Sequence, residues 1–426
     1  MYINTTMNTY LSIIFFSYFF ITLFGYYLKV LNLKHFKKFG ATIPPEFEGY
    51  IDKESLGKTR DYTVETSRFS FIHSVFDNIV LLLFLFGGVL NIYNSWILSL
   101  KWNFILSGLT FFLLLTYAES IISIPFSLYG TFKIENKYGF NTMTPKLWIT
   151  DFFKSLMLST ILMGILISVG LWLVSSSPDY WWLWVWGFFL IFSLFIMYIS
   201  PYVIEPFFNK FTPIDDKELE EKIRDTAHKA GIKVSRIFKM DASKRSRHTN
   251  AYFTGIGKVK RIILYDTLLE KMNKSEVIAV LAHEIGHWKK KHVLKRIILS
   301  EAIAFIALYI SFKILQTDFL LRMFSIESDS LFAKIVILGF IGSIVAFPLT
   351  PLSSYLSRRH EREADRFACK ITENPESMAT SLIKLSKDNL SNLHPHPLYA
   401  AFYYSHPPVV GRVRDIRNLN MTEKQR

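Results

Sequence analysis

Residues 280–310 read VLAHEIGHWKKKHVLKRIILSEAIAFIALYI, and two signals meet inside them. The opening residues hold His283, Glu284 and His287 in the pattern H-E-x-x-H, while from 297 onward a single charge, Glu301, interrupts an apolar run. On a helix His283 and His287 are four residues apart and share a face, so two imidazole nitrogens can reach one zinc ion. Glu284 lies beside them, placed to accept a proton from an attacking water. The plainer reading is a solvated basic helix end, since Lys289, Lys290 and Lys291 follow. Two features favour the metal: SEVIAVLA (275–282) supplies an apolar helical face, and Gly286 leaves room where a larger side chain would crowd a substrate.

The apolar run is typical of the whole chain. Of 426 residues, 50% are hydrophobic, 16% aromatic and only 20% charged, and the mean hydropathy is positive. That balance indicates a polytopic membrane protein. The excess of 49 Lys and Arg over 35 Asp and Glu then reads as basic cytoplasmic loops rather than a nucleic-acid surface, and membrane lipid is the expected surroundings. The single cysteine, Cys369, rules out an internal disulfide and, among charged neighbours, reads as an inert thiol.

Stretches long enough to span a bilayer, about 20 residues each, occur at 10–28, 74–98, 104–126, 155–176, 180–204, 297–316 and 333–355. The first lacks a basic region before it and a small-residue cleavage site after it, which marks a retained anchor. Lys29, Lys34, Lys37, Lys38, Lys53, Lys58 and Arg60 follow the first span, and Lys133, Lys137 and Lys146 follow the third, whereas SSSPDY between the fourth and fifth has no basic residue. Odd-numbered spans therefore exit into the cytoplasm. This places the N-terminus outside and the C-terminus inside. Asp77, Asn78 and Glu119 fall in or near spans, where polar groups face protein or water rather than lipid.

A catalytic zinc needs a third protein ligand and an open position. Spans six and seven return the chain to the side it left, delivering SRRHEREADRF (357–367) back to the histidines. Glu361 and Asp365 share a helix face there, so one can bind the metal while the other braces a ligand. His360 is an alternative about 100° around the helix, and Glu363 lies on another face. Without the H-E-x-x-H, the two acids would read as surface charges paired with Arg358 or Arg362.

VLAHEIGHWKKKH and SRRHEREADRFA, together with RHTNAYFTG, RIILYDTLL, SHPPVVGR, KIENKYGFNTMT and PYVIEPFFNKFTPI, make the sequence resemble the type I CAAX prenyl endopeptidase family over nearly its whole length. The resemblance implies a seven-span zinc metalloprotease with one Zn2+ per chain. His283, His287 and Glu361 would bind the metal, Glu284 would be the general base, and Asp365 would support the site. It further implies that Asn250 to Gly255, including Ala251, Tyr252 and Phe253, is an edge strand holding the peptide by backbone pairing. His406 and Arg412 would line the cleft, with His406 able to stabilise the oxyanion. Gly411 stands where that family has an acidic residue, which leaves Arg412 without an evident partner.

The expected fold is predominantly α: a polytopic membrane protein with seven transmembrane helices and a zincin-like cytoplasmic catalytic domain containing a small β-sheet. Its expected parts are a five-span membrane domain (1–204), a catalytic region with the edge strand and H-E-x-x-H helix (205–296), spans six and seven (297–356) and a C-terminal region with the third ligand (357–426). The expected substrate is a peptide or protein, with the resemblance implying a prenylated C-a-a-X chain end, and with membrane-protein quality control as the second enzymatic reading. A transporter or receptor with a structural metal is the non-enzymatic one. MTEKQR (421–426) carries no KDEL-like or dilysine signal, and the Lys-, Ile- and Phe-rich usage suggests a bacterial inner membrane.

Overall fold

In lipid every backbone N–H and C=O must be bonded within its own segment, which leaves a chain this apolar with long helices. The computed structural model describes residues 2–254 and 260–424, and among them seven helices are long and apolar enough to cross a membrane: Met7–Phe39, Lys53–Phe86, Phe104–Tyr138, Pro145–Ser176, Trp181–Phe208, His292–Leu315 and Leu331–Thr372.

Their ends are set by chemistry that hydropathy does not register. Helix α1 (Tyr2–Phe39) and helix α2 (Lys53–Phe86) both run well past their apolar stretches. The start of α2 is held by Asp52, whose side chain accepts from the Ser55 amide at 2.7 Å. The stretch 74–98, expected as one span, is two helices. Gly87 and Gly88 end α2, and Gly88 takes a φ of +81°, a conformation that a side chain would strain. Helix α3 (Val89–Ser99) then begins after Gly88. Among the polar residues expected to face protein or water, Asn78 bonds across the α1–α2 contact: it accepts from the Tyr18 hydroxyl and donates to Tyr26 Oη at 2.6 Å.

Helices α4 (Phe104–Tyr129), α5 (Pro145–Ser176) and α6 (Trp181–Ile199) complete the N-terminal membrane portion. The polar part that follows contains a four-stranded sheet of order β1-β2-β4-β3, formed by β1 (Phe211–Pro213), β2 (Val234–Met240), β3 (Ala251–Thr254) and β4 (Lys260–Tyr265). RIILY is central because Ile262, Ile263 and Leu264 are fully buried, with cover on both faces of the strand. The β2–β4 pair is parallel and the β1–β2 and β3–β4 pairs are antiparallel, so β3 is at the sheet edge. Gly255, the end of the expected edge strand, lies outside the described residues.

Helix α7 (Lys217–Lys229) packs on the sheet, and α8 (Lys274–Lys289) carries the H-E-x-x-H. Helix α9 (His292–Leu315) leaves for the membrane. The chain returns through α10 (Leu331–Ala346), a short turn and α11 (Thr350–Thr372), one rod that passes position 356 without a break and ends in the polar part. Helices α12 (Pro375–Asp388), α13 (Pro397–Tyr403) and α14 (Val409–Lys424) close the fold. Cys369 is buried in the core that α11, α12 and α14 share with α8, alongside Ala279, Met378, Ile383 and Val413.

Polar contacts fasten this part to the membrane helices. Arg245 donates to Asp151 at 2.8 and 3.0 Å and to the Phe208 carbonyl at 2.6 Å. The Arg247 amide donates to the Phe140 carbonyl at 3.0 Å. KIENKYGFNTMT and PYVIEPFFNKFTPI thus supply backbone carbonyls that hold the loop before β3.

Candidate metal centre

Helix α8 begins with a reciprocal cap. Asn273 Oδ1 accepts from the Glu276 amide at 2.9 Å while Glu276 Oε2 accepts from the Asn273 amide at 3.0 Å. Lys384 on α12 donates to the same Glu276 oxygen at 2.7 Å, which fixes the helix before its chemistry-bearing turns. Opposite lies α11, in very close approach. A Cβ built on Gly286 would meet Ala364 Cα at 3.1 Å and the Ala364 carbonyl oxygen at 3.2 Å. Gly286 was expected to leave room for a substrate; it instead makes room for α11.

That approach brings Glu361 to the histidines. Ligand atoms of His283, His287 and Glu361 all lie within 4.8 Å of one another. His283 Nε2 is 3.1 Å from His287 Nε2, and Glu361 places Oε2 3.3 Å from His283 Nε2 and Oε1 3.2 Å from His287 Nε2. Glu361 Oε2 is buried and accepts no well-formed hydrogen bond among the described residues, which for a carboxylate oxygen is costly. Two imidazole nitrogens and a carboxylate facing one point are a donor set that suits a divalent cation, zinc above all. These residues fit a metal ion.

Other groups set the charge balance around that point. His283 Nδ1 is 2.8 Å from Asp365 Oδ1, which leaves Nε2 to face the centre. Burial alone would lower the His283 pKa, but the Asp365 and Glu361 carboxylates overcome it and hold the ring up at about 9. Burial pushes the Glu284 carboxyl above its ordinary range, the direction that suits a proton acceptor near neutral pH.

Asp365 also has a second partner. Arg412, 8% exposed, donates through Nε at 2.8 Å and Nη2 at 2.6 Å to its two oxygens. The partner left open by Gly411 is therefore Asp365, and what Arg412 offers the cleft is charge rather than a free guanidinium fork. Arg358, considered as a partner for these acids, instead donates to the carbonyls of Ala400, Ala401 and Tyr404. His406 Nε2 stands 3.4 Å from Glu361 Oε1, with Ser405 Oγ 3.0 Å from its Nδ1. Thr249, Asn250 and the first residue of β3, Ala251, line one cleft of about 200 Å³ together with His283, Glu284, Glu361, His406 and Arg412.

Side chains of the β3 segment are largely committed elsewhere. Ala251 is buried, Phe253 packs on Ala227 and Ile285, and the Tyr252 hydroxyl donates to Glu205 at 2.6 Å. Two further residues approach His287 from behind. His292 Nδ1 lies 3.1 Å from His287 Nδ1, and Glu363 Oε2 lies 3.2 Å from His292 Nε2. Glu363, read as pointing elsewhere, thus reaches the centre through His292. The sequence offered one signal for this, a third histidine closing HWKKKH.

The chain is similar to known proteins over most of its length. Residues 32–210 match the family model described as CAAX prenyl protease N-terminal, five membrane helices, and residues 213–420 match peptidase family M48. CAAX prenyl protease 1 homolog of Arabidopsis thaliana is 35% identical over 410 residues, covering 92% of this chain and 94% of that protein. The chain belongs to the CAAX prenyl protease 1 family. CAAX prenyl protease 1 of Saccharomyces cerevisiae is 34% identical, with 90% of each protein covered. The crystal structure of S. mikatae Ste24p superposes with a TM-score of 0.88 at 30% identity, over 95% of this chain and 98% of that one. As a family member the protein is an integral multi-pass membrane metalloendopeptidase acting on peptide or protein substrates at a metal ion. The transporter or receptor reading falls away.

Proposed function

We propose that the protein hydrolyses peptide bonds at a zinc ion held by His283, His287 and Glu361, with Glu284 as general base. The observation that carries this is the convergence of three ligand atoms within 4.8 Å on the cleft that Glu284 lines. A zinc ion bound there would supply Lewis acidity, polarising the scissile carbonyl and making water a better nucleophile at neutral pH. Glu284 accepts the proton as the water oxygen bonds to the carbonyl carbon, then delivers it to the amine as the C–N bond breaks. Ser405 Oγ–H donates to His406 Nδ1, so that His406 Nε2–H faces the cleft and stabilises the oxyanion. Asp365 orients His283 and is itself held by Arg412.

The outer edge of β3, unpaired among the described residues, supports a substrate bound as an added antiparallel strand through its main chain. Leu268, Val280, Met378, Leu382 and Leu385 line the same cleft and suit an aliphatic side chain beside the cleaved bond. Together the stretches 205–296 and 357–426 form one catalytic unit. The relatives are named CAAX prenyl proteases, and we extend that substrate class to this chain, with moderate dependence on the lipid because strand pairing does not read it.

The test is a comparison of kcat/KM for a farnesylated C-a-a-X peptide, the same peptide without lipid and an unfolded membrane-protein fragment, using metal-loaded protein in detergent. Full burial of a prenyl chain contributes several kcal/mol at about 25 cal/mol per Å², so the farnesylated peptide is expected to be cleaved best. Equal rates on all three favour quality control, and cleavage of none overturns the substrate reading.

The same reading orients the site toward the cytoplasm of a bacterial inner membrane, on the strength of the basic loops after spans one and three. In a Cys369→Ala background, Asp179→Cys should react with an impermeant thiol reagent in intact cells and Asp215→Cys should not. The opposite pattern inverts the topology.

A further inference from the structure

We infer that His292 and Glu363 are positioning residues for the metal, forming an arm that orients His287 as Asp365 orients His283. The inference rests on the metal reading above. With His287 Nε2 turned to the centre, its Nδ1 carries the proton and donates to His292 Nδ1 at 3.1 Å. That tautomer leaves His292 Nε2–H to donate to Glu363 Oε2 at 3.2 Å. Every proton in the chain is then placed once, and a carboxylate stands at its far end, the arrangement that makes an imidazole a better metal ligand. One histidine has its carboxylate in direct contact; the other reaches it through an intervening ring.

The backbone is shaped for this contact. In an unbroken helix, residues 287 and 292 would project about 140° apart and could not meet. Helix α8 ends at Lys289, Lys291 takes a left-handed φ of +57°, and α9 starts at His292. This break folds His292 back against His287. The ring is 2% exposed and stacks on His360 at 4.1 Å between centroids, which fixes its plane. Arg359 Nε donates to Glu363 Oε1 at 3.1 Å, which holds the carboxylate in place. A ring serving only to fill space would not require both of its nitrogens to be matched.

The experiment is metal competition against a chelator on purified full-length protein, with the visible spectrum of the cobalt(II)-loaded form as second readout. His292→Phe keeps a stacking ring but no acceptor. His292→Asn puts Oδ1 near the place of Nδ1 and so keeps the first link. Glu363→Gln keeps an acceptor and drops the charge. Phe is expected to weaken metal affinity about 10- to 100-fold, Asn to recover most of that, and Gln to fall between wild type and Phe with a shifted cobalt spectrum. Wild-type affinity in His292→Phe, or Asn no better than Phe, overturns the arm. Should His292→Phe not fold, Glu363→Gln decides: unchanged affinity and spectrum overturn it. Wild-type protein that takes up no metal instead fails the underlying reading.

Discussion

Glu284 shows how much a single position depends on its surroundings. Burial raises its carboxyl pKa, while the acids nearest it are occupied, Asp365 with Arg412 and His283 and Glu361 with the two histidines. Replacing Glu284 by Gln keeps the shape and removes the proton acceptor. Glu284→Gln should therefore retain about one equivalent of metal and lose roughly 10²- to 10⁴-fold in kcat/KM, whereas Glu361→Ala should lose the metal as well. Cleavage by Glu284→Gln at the wild-type rate, measured on the same peptide, removes the assigned base. The H-E-x-x-H was legible because a helix of fixed pitch makes four-residue spacing a statement about geometry. The partner of Arg412 was not, because Asp365 lies 47 residues away in the chain and only packing of α14 on α11 joins them.

At the scale of elements, the edge of β3 that pairs with no other strand among the described residues is the feature with most consequence. Tyr265 N–H donates to the Asn250 carbonyl at 3.2 Å, so residues 250 and 265 are a bonded pair. With the register Tyr252 to Ile263, bonded pairs alternate and the amides of Ala251 and Phe253 face outward. Ala251 N–H is already taken by Asn250 Oδ1 at 2.8 Å, which among the described residues leaves Phe253 N–H for an incoming strand. Phe253→Pro removes that donor while sparing the β3–β4 ladder; Phe253→Thr loses the same packing but keeps the donor. KM for peptide should rise well above the Thr variant's in the Pro variant, with metal content equal in both. Matching kinetics would remove strand addition as the binding mode. Element ends were less legible than element types. Apolarity marked 74–98 as membrane-embedded, but only Gly87 and Gly88, unremarkable on a hydropathy scale, divide it into α2 and α3.

For the whole molecule, the polar part is fastened to its membrane helices by polar contacts. His248 sits at that junction, with Nε2 3.2 Å from Glu135 Oε2 and Nδ1 2.8 Å from Asn389 Oδ1, its ring stacked on Phe140 at 4.1 Å. The Glu135 carboxylate raises the His248 pKa above its ordinary value, and Asn389 adds to the effect against the opposing effect of burial. A group whose folded pKa is raised contributes stability that is fully present below its unfolded pKa, about 6.5, and is lost as pH rises through the folded value. Wild-type Tm in detergent should therefore fall from about pH 6 to 8 more steeply than that of Glu135→Gln. Because the His248 side chain is 39% exposed, solvent keeps the difference small. Parallel pH slopes in the two proteins would show that the junction does not titrate.

The membrane class, the seven spans and the helix carrying the H-E-x-x-H could all be read from the residues in order. Each of these follows from short-range regularity: hydropathy over a bilayer's thickness, or side chains repeating at the helical pitch. The sequence also led to Glu361 and Asp365, because two crossings return a chain to the side it left. Tertiary structure alone decided that Gly286 faces Ala364, that Arg412 belongs to Asp365, and that His292 turns back on His287 through a left-handed Lys291 to bring in Glu363. These contacts join helices far apart in the chain or depend on one unusual backbone angle, and no periodicity of residues records either.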